Sequence, residues 1–154
     1  MNCIGCYKKI DKNEYCLSCR KKLFGGKRVP TVLDFDKPKA ENISLYNEYT
    51  KRLSISGVQL KYSLMLVGNK LELSEKNGQY ILKPIPTADH LVSMDDAPEN
   101  EHLTMQIASQ IFNIKTAHNT LIYFKDGTPA YITKRFDVKG DGTKYIQEDF
   151  AQIT

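Results

Sequence analysis

Residues 61–86 read KYSLMLVGNKLELSEKNGQYILKPIP. Tyr62, Leu64 and Leu66 alternate with Ser63, Met65 and Val67, a period of two that predicts a strand with at least one apolar face. Gly68-Asn69 is a hairpin signal, and KLEL after it reads as the partner strand. Asn77-Gly78 marks a second turn. QYILKPIP follows as a third strand, closed by Pro84 and Pro86, which cannot donate to a ladder.

Downstream the period changes. DDAPENEHLTMQIASQIFN (residues 95–113) predicts a helix, with Asp95 or Asp96 capping its first amides, Pro98 in its first turn and Glu99 and Glu101 at its positive end. Leu103, Ile107 and Ile111, joined by Met105, Ala108 and Phe112, would form its buried side. TLIYFK and PAYITKRF then read as two strands joined at Asp126-Gly127, and QEDFAQIT as the start of another helix. Three strands, a helix and two strands predict an α+β layer, a five-stranded antiparallel sheet with one packed helix.

Upstream, ENISLYNEYTKRL (41–53) places Leu45, Tyr49 and Leu53 on one side of an amphipathic helix. VPTVLDFDKPKAEN reads as a linker, and RKKLFGG as a short helix stopped by Gly25 and Gly26. The expected organisation is a small head over 1–28, a linker and amphipathic helix over 29–52, and the sheet domain over 53–154.

All four cysteines fall in the head, as Cys3-x2-Cys6-x9-Cys16-x2-Cys19. Two CxxC pairs offer four thiolates to one tetrahedral ion, although the central gap is shorter than in most zinc fingers. A structural Zn²⁺ suits this pattern better than disulfides, which a reducing cytoplasm disfavours. Four protein ligands leave no open position for catalysis, so the site would act as a staple.

The 154-residue chain is 41% hydrophobic and 26% charged, the profile of a globular domain. It carries no apolar run near the roughly 20 residues of a membrane span and no apolar leader at its start, so the expectation is a cytoplasmic protein without membrane contact. Residues 1–39 hold ten Lys/Arg against four Asp/Glu, while the rest of the chain holds twelve against fourteen. A basic head can touch nucleic acid, but the composition favours a solvated face. Only Tyr7, Tyr15 and Phe24 accompany the basic residues as bases' stacking partners.

Two features bear on phosphate, although a strand lysine taken alone reads as a solvated surface group. Lys83 leaves the third strand shortly before a helix bearing Glu99 and Glu101, and a strand lysine held by a helix carboxylate is how protein kinases grip nucleotide phosphates. Gly57 and Lys61 head the first strand within LSISGVQLKYSLML (53–66). That spacing alone suits a plain turn, since it matches neither GxGxxG nor a P-loop. His90, His102 and His118 share no ligand spacing and read as non-catalytic. Helix capping suffices for Asp95-Asp96 and for Glu148-Asp149.

In order, SISGVQLKYSLML, YILKP, PENEHLTMQIA, YITKRFD and QEDFAQ resemble the amino-terminal lobe of HipA-family serine/threonine kinases, the toxins of type II toxin–antitoxin pairs. The resemblance implies a fold like a kinase amino-terminal lobe and a site for ATP with Mg²⁺. Gly57, Gln59 and Lys61 would lie in its phosphate loop. Lys83 would contact phosphates, with Glu101 as its ionic partner and Glu99 second. Arg135, Phe136 and Asp137 would lie at the adenine-holding hinge. Ser54, or Ser56 in a shifted register, falls where the family has a silencing phosphosite. The resemblance also implies partners: a DNA-binding antitoxin, a protein substrate, and a carboxyl-terminal lobe or separate kinase chain carrying the catalytic loop and metal-binding aspartate. No counterpart of those last motifs is visible, so the chain reads as half a kinase, inactive alone. Two other readings remain: a zinc-stapled regulatory or antitoxin-like subunit docking on a separate kinase chain, and a nucleic-acid-binding module built on the basic zinc head.

Overall fold

The computed structural model describes residues 1–12, 14–39, 41–42, 44, 60–76, 78–86, 94–139 and 143–146. Within them lie helix α1 (Leu17–Phe24), strands β1 (Tyr62–Val67), β2 (Lys70–Leu73) and β3 (Tyr80–Pro84), helix α2 (Ala97–Gln110), and strands β4 (Asn119–Tyr123) and β5 (Pro129–Lys134). The expected helices over 41–53 and 147–154 fall almost entirely outside the described residues.

The five strands form one antiparallel sheet in the order β2-β1-β3-β5-β4. This is the α+β layer that the alternation and hairpin signals predict. Register decides which side chains share a face. Tyr62 pairs with Leu82, Leu82 with Ile132, and Ile132 with Thr120, so these four line one side. Lys83 pairs with Tyr131 on the opposite side. Helix α2 packs against β4 and β5.

The first side is covered by the cysteine head. Cys3, Ile4, Tyr15, Leu23 and Phe24 join Tyr62, Leu82, Ile122 and Ile132 in one continuous core. Tyr15 donates its hydroxyl to the Leu121 carbonyl at 2.9 Å, and Tyr80 donates to the Leu23 carbonyl at 2.8 Å. Both phenols thus find partners where burial would otherwise leave them unsatisfied. The segment read as a linker runs beside β4. The Leu33 amide donates to the Tyr123 carbonyl at 2.8 Å, and Tyr123 donates back to Thr31 at 2.9 Å.

Local signals explain the element ends. Cys16 caps α1, and Gly25 ends it with φ 62°, a left-handed conformation that glycine adopts without a Cβ penalty. The helix begins at Leu17, earlier than RKKLFGG suggested, because the second CxxC forms its first turn. Helix α2 begins after Asp96, but no side-chain capping bond forms there. Instead its first turn is set by Pro98 and by the Asn100 amide donating to the Asp96 carbonyl at 2.9 Å.

One expectation is overturned. Leu103, Ile107 and Ile111 are 47%, 38% and 67% exposed, and the buried residues of α2 are Pro98 and His102. The apolar stripe is real, but the helix meets the sheet through another side.

Gly78 shows how tightly the second turn closes. A Cβ there would lie 1.7 Å from Ser63 Oγ and 3.3 Å from the Leu64 carbonyl oxygen. Gly78→Ala is therefore expected to destabilise the fold by roughly 2 kcal/mol, since β1 must shift to admit the methyl group. Urea unfolding would show this as a lower midpoint at unchanged slope.

Candidate functional site

Strand β3 buries Tyr80, Leu82 and Pro84 and turns Ile81 and Lys83 to the α2 side. There the Lys83 ammonium forms an ion pair with Glu101, one turn into α2. The ammonium also sits over the Tyr131 ring, 5.3 Å from its centroid. Lys61, just before β1, joins them electrostatically. Burial lowers its basicity first, the charge of Lys83 lowers it further, and Glu101 partly offsets both. Among the described residues two lysines thus share one carboxylate, leaving a surplus positive charge that an anion would neutralise. Glu99 does not compete for Lys83. Its Oε2 is buried without a hydrogen-bond partner among the described residues, and its charge raises the pKa of Tyr7 and Tyr123 after burial has done so.

The four cysteine sulfurs lie within 4.8 Å of one another, and all four thiols are free. Cys6 and Cys16 Sγ are 3.7 Å apart. An ion with Zn–S bonds of about 2.3 Å sets tetrahedral edges of about 3.8 Å, so the group fits a structural metal. Backbone donors support the sulfurs: the Cys16 amide donates to Cys3 Sγ at 3.2 Å and the Cys19 amide to Cys16 Sγ at 3.4 Å. Burial pushes the Cys16 thiol up, but hydrogen bonds from the Cys19 amide and neighbouring thiols bring it down to about 7. Cys19 is pushed up by burial and then by the charge of Cys3. Such a mixed set is held as thiolates only when a cation neutralises it. Gly5 permits the closure, since a Cβ there would meet Cys19 Sγ at 3.0 Å.

A model of the HipA-like C-terminal domain family matches residues 53–154, well over half of the chain. The chain belongs to the HipA-like C-terminal domain family. No curated protein matches it. Lys61, Lys83, Glu101 and the segment after β5 all lie inside the HipA-like match, whereas the four cysteines lie outside it.

Beyond β5, Arg135 and Asp137 hold each other in a two-pronged ion pair with side chains only 9% and 12% exposed. The Arg135 hydrogen bond holds the Asp137 carboxyl below the usual carboxylate range. Phe136, between them, is 73% exposed. Among the described residues the pair is held close while the Phe136 ring between them stays exposed. Ser54, Ser56, Gly57 and Gln59 lie outside the described residues of this HipA-like chain, as does His90.

His102, read from sequence as non-catalytic, is fully buried and ties three parts together. Its Nδ1 lies 2.8 Å from Asn119 Oδ1 and its Nε2 2.9 Å from the Ile4 carbonyl oxygen. The Asn119 amide group donates to the Ala117 carbonyl at 2.7 Å, which turns its oxygen toward the ring. The head, β4 and α2 therefore meet at the residue next to Glu101. No spacing in the sequence announces this, because the partners are a backbone carbonyl and a distant asparagine. His102→Ala is expected to cost roughly 3 kcal/mol through a cavity and the lost ring hydrogen bonding, although Asn119 Oδ1 keeps its donor from Gln106 Nε2 at 3.1 Å. A fall of several degrees in thermal midpoint would register it.

Among the described residues no helix is long and apolar enough to cross a membrane.

Proposed function

We propose that residues 53–154 form the nucleotide-binding, amino-terminal lobe of a HipA-like serine/threonine kinase of the toxin–antitoxin type, with residues 1–28 as a zinc-stapled brace. The observation that carries this reading is the Lys83–Glu101 ion pair between strand and helix, with Lys61 adding a second positive charge. In a kinase the equivalent pair aims the lysine at the α- and β-phosphates of ATP.

The roles follow from this. Lys83 and Lys61 would hold phosphate oxygens, Glu101 would keep Lys83 extended, and Phe136 would lie against adenine. Gly57 and Gln59 would complete the phosphate loop, and phosphorylation of Ser54 or Ser56 would expel it by like-charge repulsion. Magnesium bound with ATP would neutralise the phosphates, its protein ligands coming from a second lobe or chain. Alone, this lobe would bind ATP without transferring phosphate detectably. A DNA-binding antitoxin and a protein substrate are the expected partners, in the cytoplasm.

Equilibrium titration with Mg·ATP tests the reading. Saturable binding that weakens by about tenfold or more in Lys83→Ala, with the fold intact by circular dichroism, is the expected result. Absence of ATP binding, in this chain and with a partner kinase chain added, would leave the docking-subunit reading standing instead.

A further inference from the structure

A second basic site lies away from Lys83, where the head meets α2. A groove of about 330 Å³ opens between the first CxxC turn, α1, the end of α2 and residues 114–119. Lys8, Lys22 and Lys115 reach it from three different segments, and among the described residues no carboxylate lines it. Among the described residues none of these three lysines makes an ion pair, although Lys37, Lys70 and Lys83 all do. Ser18 and Thr116 stand on the same walls with hydroxyls as further donors, while the Ser109 hydroxyl donates to the Gln106 carbonyl at 3.3 Å. His118, also on the wall, reports the local field: burial lowers its basicity, and the charges of Lys22 and Lys134 lower it further.

We infer that this groove binds a phosphate monoester carried by a small molecule or a short side chain. The chemistry excludes its rivals in turn. Lysines are compact point charges suited to phosphate, and among the described residues the walls hold no arginine fork of the kind that grips planar carboxylates. Among the described residues the walls hold no Phe, Tyr or Trp on which nucleic-acid bases could stack. The volume is that of a small-ligand site. Because Gly5, Cys6 and Cys19 form part of the wall, the groove exists only while the cysteine head is closed on the sheet. The inference does not depend on the kinase reading, since it uses none of the residues of the Lys83 site.

The test is a titration of the zinc-loaded full chain with O-phosphoserine, followed by amide shifts in nuclear magnetic resonance, with serine and sulfate as controls. Saturable shifts at Ser18, Ser109 and Thr116 are expected. Reversing two charges together, Lys22→Glu with Lys115→Glu, should weaken binding by roughly tenfold or more, while Lys76→Glu outside the groove leaves it unchanged. All these lysines are exposed, so the variants should fold. No saturable shift, or binding indifferent to the double reversal, would overturn the site. So would sulfate binding as tightly as phosphoserine, or a short single-stranded oligonucleotide binding much more tightly through the same two lysines.

Discussion

Stripping the metal from the cysteine head is expected to lower the thermal midpoint of the whole chain by about 10 °C or more. Structural zinc contributes an apparent 10–16 kcal/mol or so in zinc-finger peptides, and a domain of this size loses roughly 2–4 °C per kcal/mol. Even a third of that stabilisation gives the expected drop. The effect reaches the sheet because Cys3, Ile4, Leu23 and Phe24 belong to the same core as Leu82 and Ile132. Opening the head would expose that side of the sheet and free the Ile4 carbonyl from His102. Cys19→Ser should reproduce the loss, since serine is a poor zinc ligand and Cys19 is buried. Metal analysis should find one zinc per chain. A chain without zinc, whose midpoint is unmoved by a strong chelator, would contradict the staple.

The second large effect concerns the ion pair. In an active enzyme containing this lobe, Glu101→Gln is expected to lower kcat/KM by about a hundredfold, because the amide cannot anchor the Lys83 ammonium. Lys83→Ala should lower it at least as far, and the double variant should fall little below either single one, as residues acting as a unit do. Stability should fall by roughly 1–3 kcal/mol in each variant, since the two side chains are only 20% and 23% exposed and either change leaves the remaining group part-buried without its partner. Independent, additive losses in the double variant would mean that the two residues do not act through one phosphate contact.

The local signals in the sequence carried much of this architecture. Gly68-Asn69 and Asp126-Gly127 marked two of the turns that separate the strands, Gly78 stands before β3, and a period of two located β1. The four cysteines were legible as one group because CxxC spacing fixes which sulfurs can converge. The approach of Lys83 to Glu101 followed from the family resemblance; spacing alone would have left an ordinary surface lysine.

What stayed hidden depended on partners distant in the chain. The i, i+4, i+8 stripe of α2 showed where apolar side chains gather, but not where the sheet would lie. The helix buries Pro98 and His102 instead, with His102 against Asn119 of β4 and Glu101 against Lys83 of β3. The fusion of head and sheet was equally silent, since Ile4, Tyr15 and Phe24 form no periodic pattern. Asp96 looked like a cap, yet the Asp96 backbone carbonyl and Pro98 shape that turn without its carboxylate.

The most direct test of the nucleotide-binding lobe is a crystal structure of the chain with Mg²⁺ and a non-hydrolysable ATP analogue. The account predicts phosphate oxygens in contact with Lys83 Nζ, the Lys83–Glu101 pair intact, and adenine beside Phe136. A nucleotide bound elsewhere, with Lys83 and Lys61 facing only water, would contradict it.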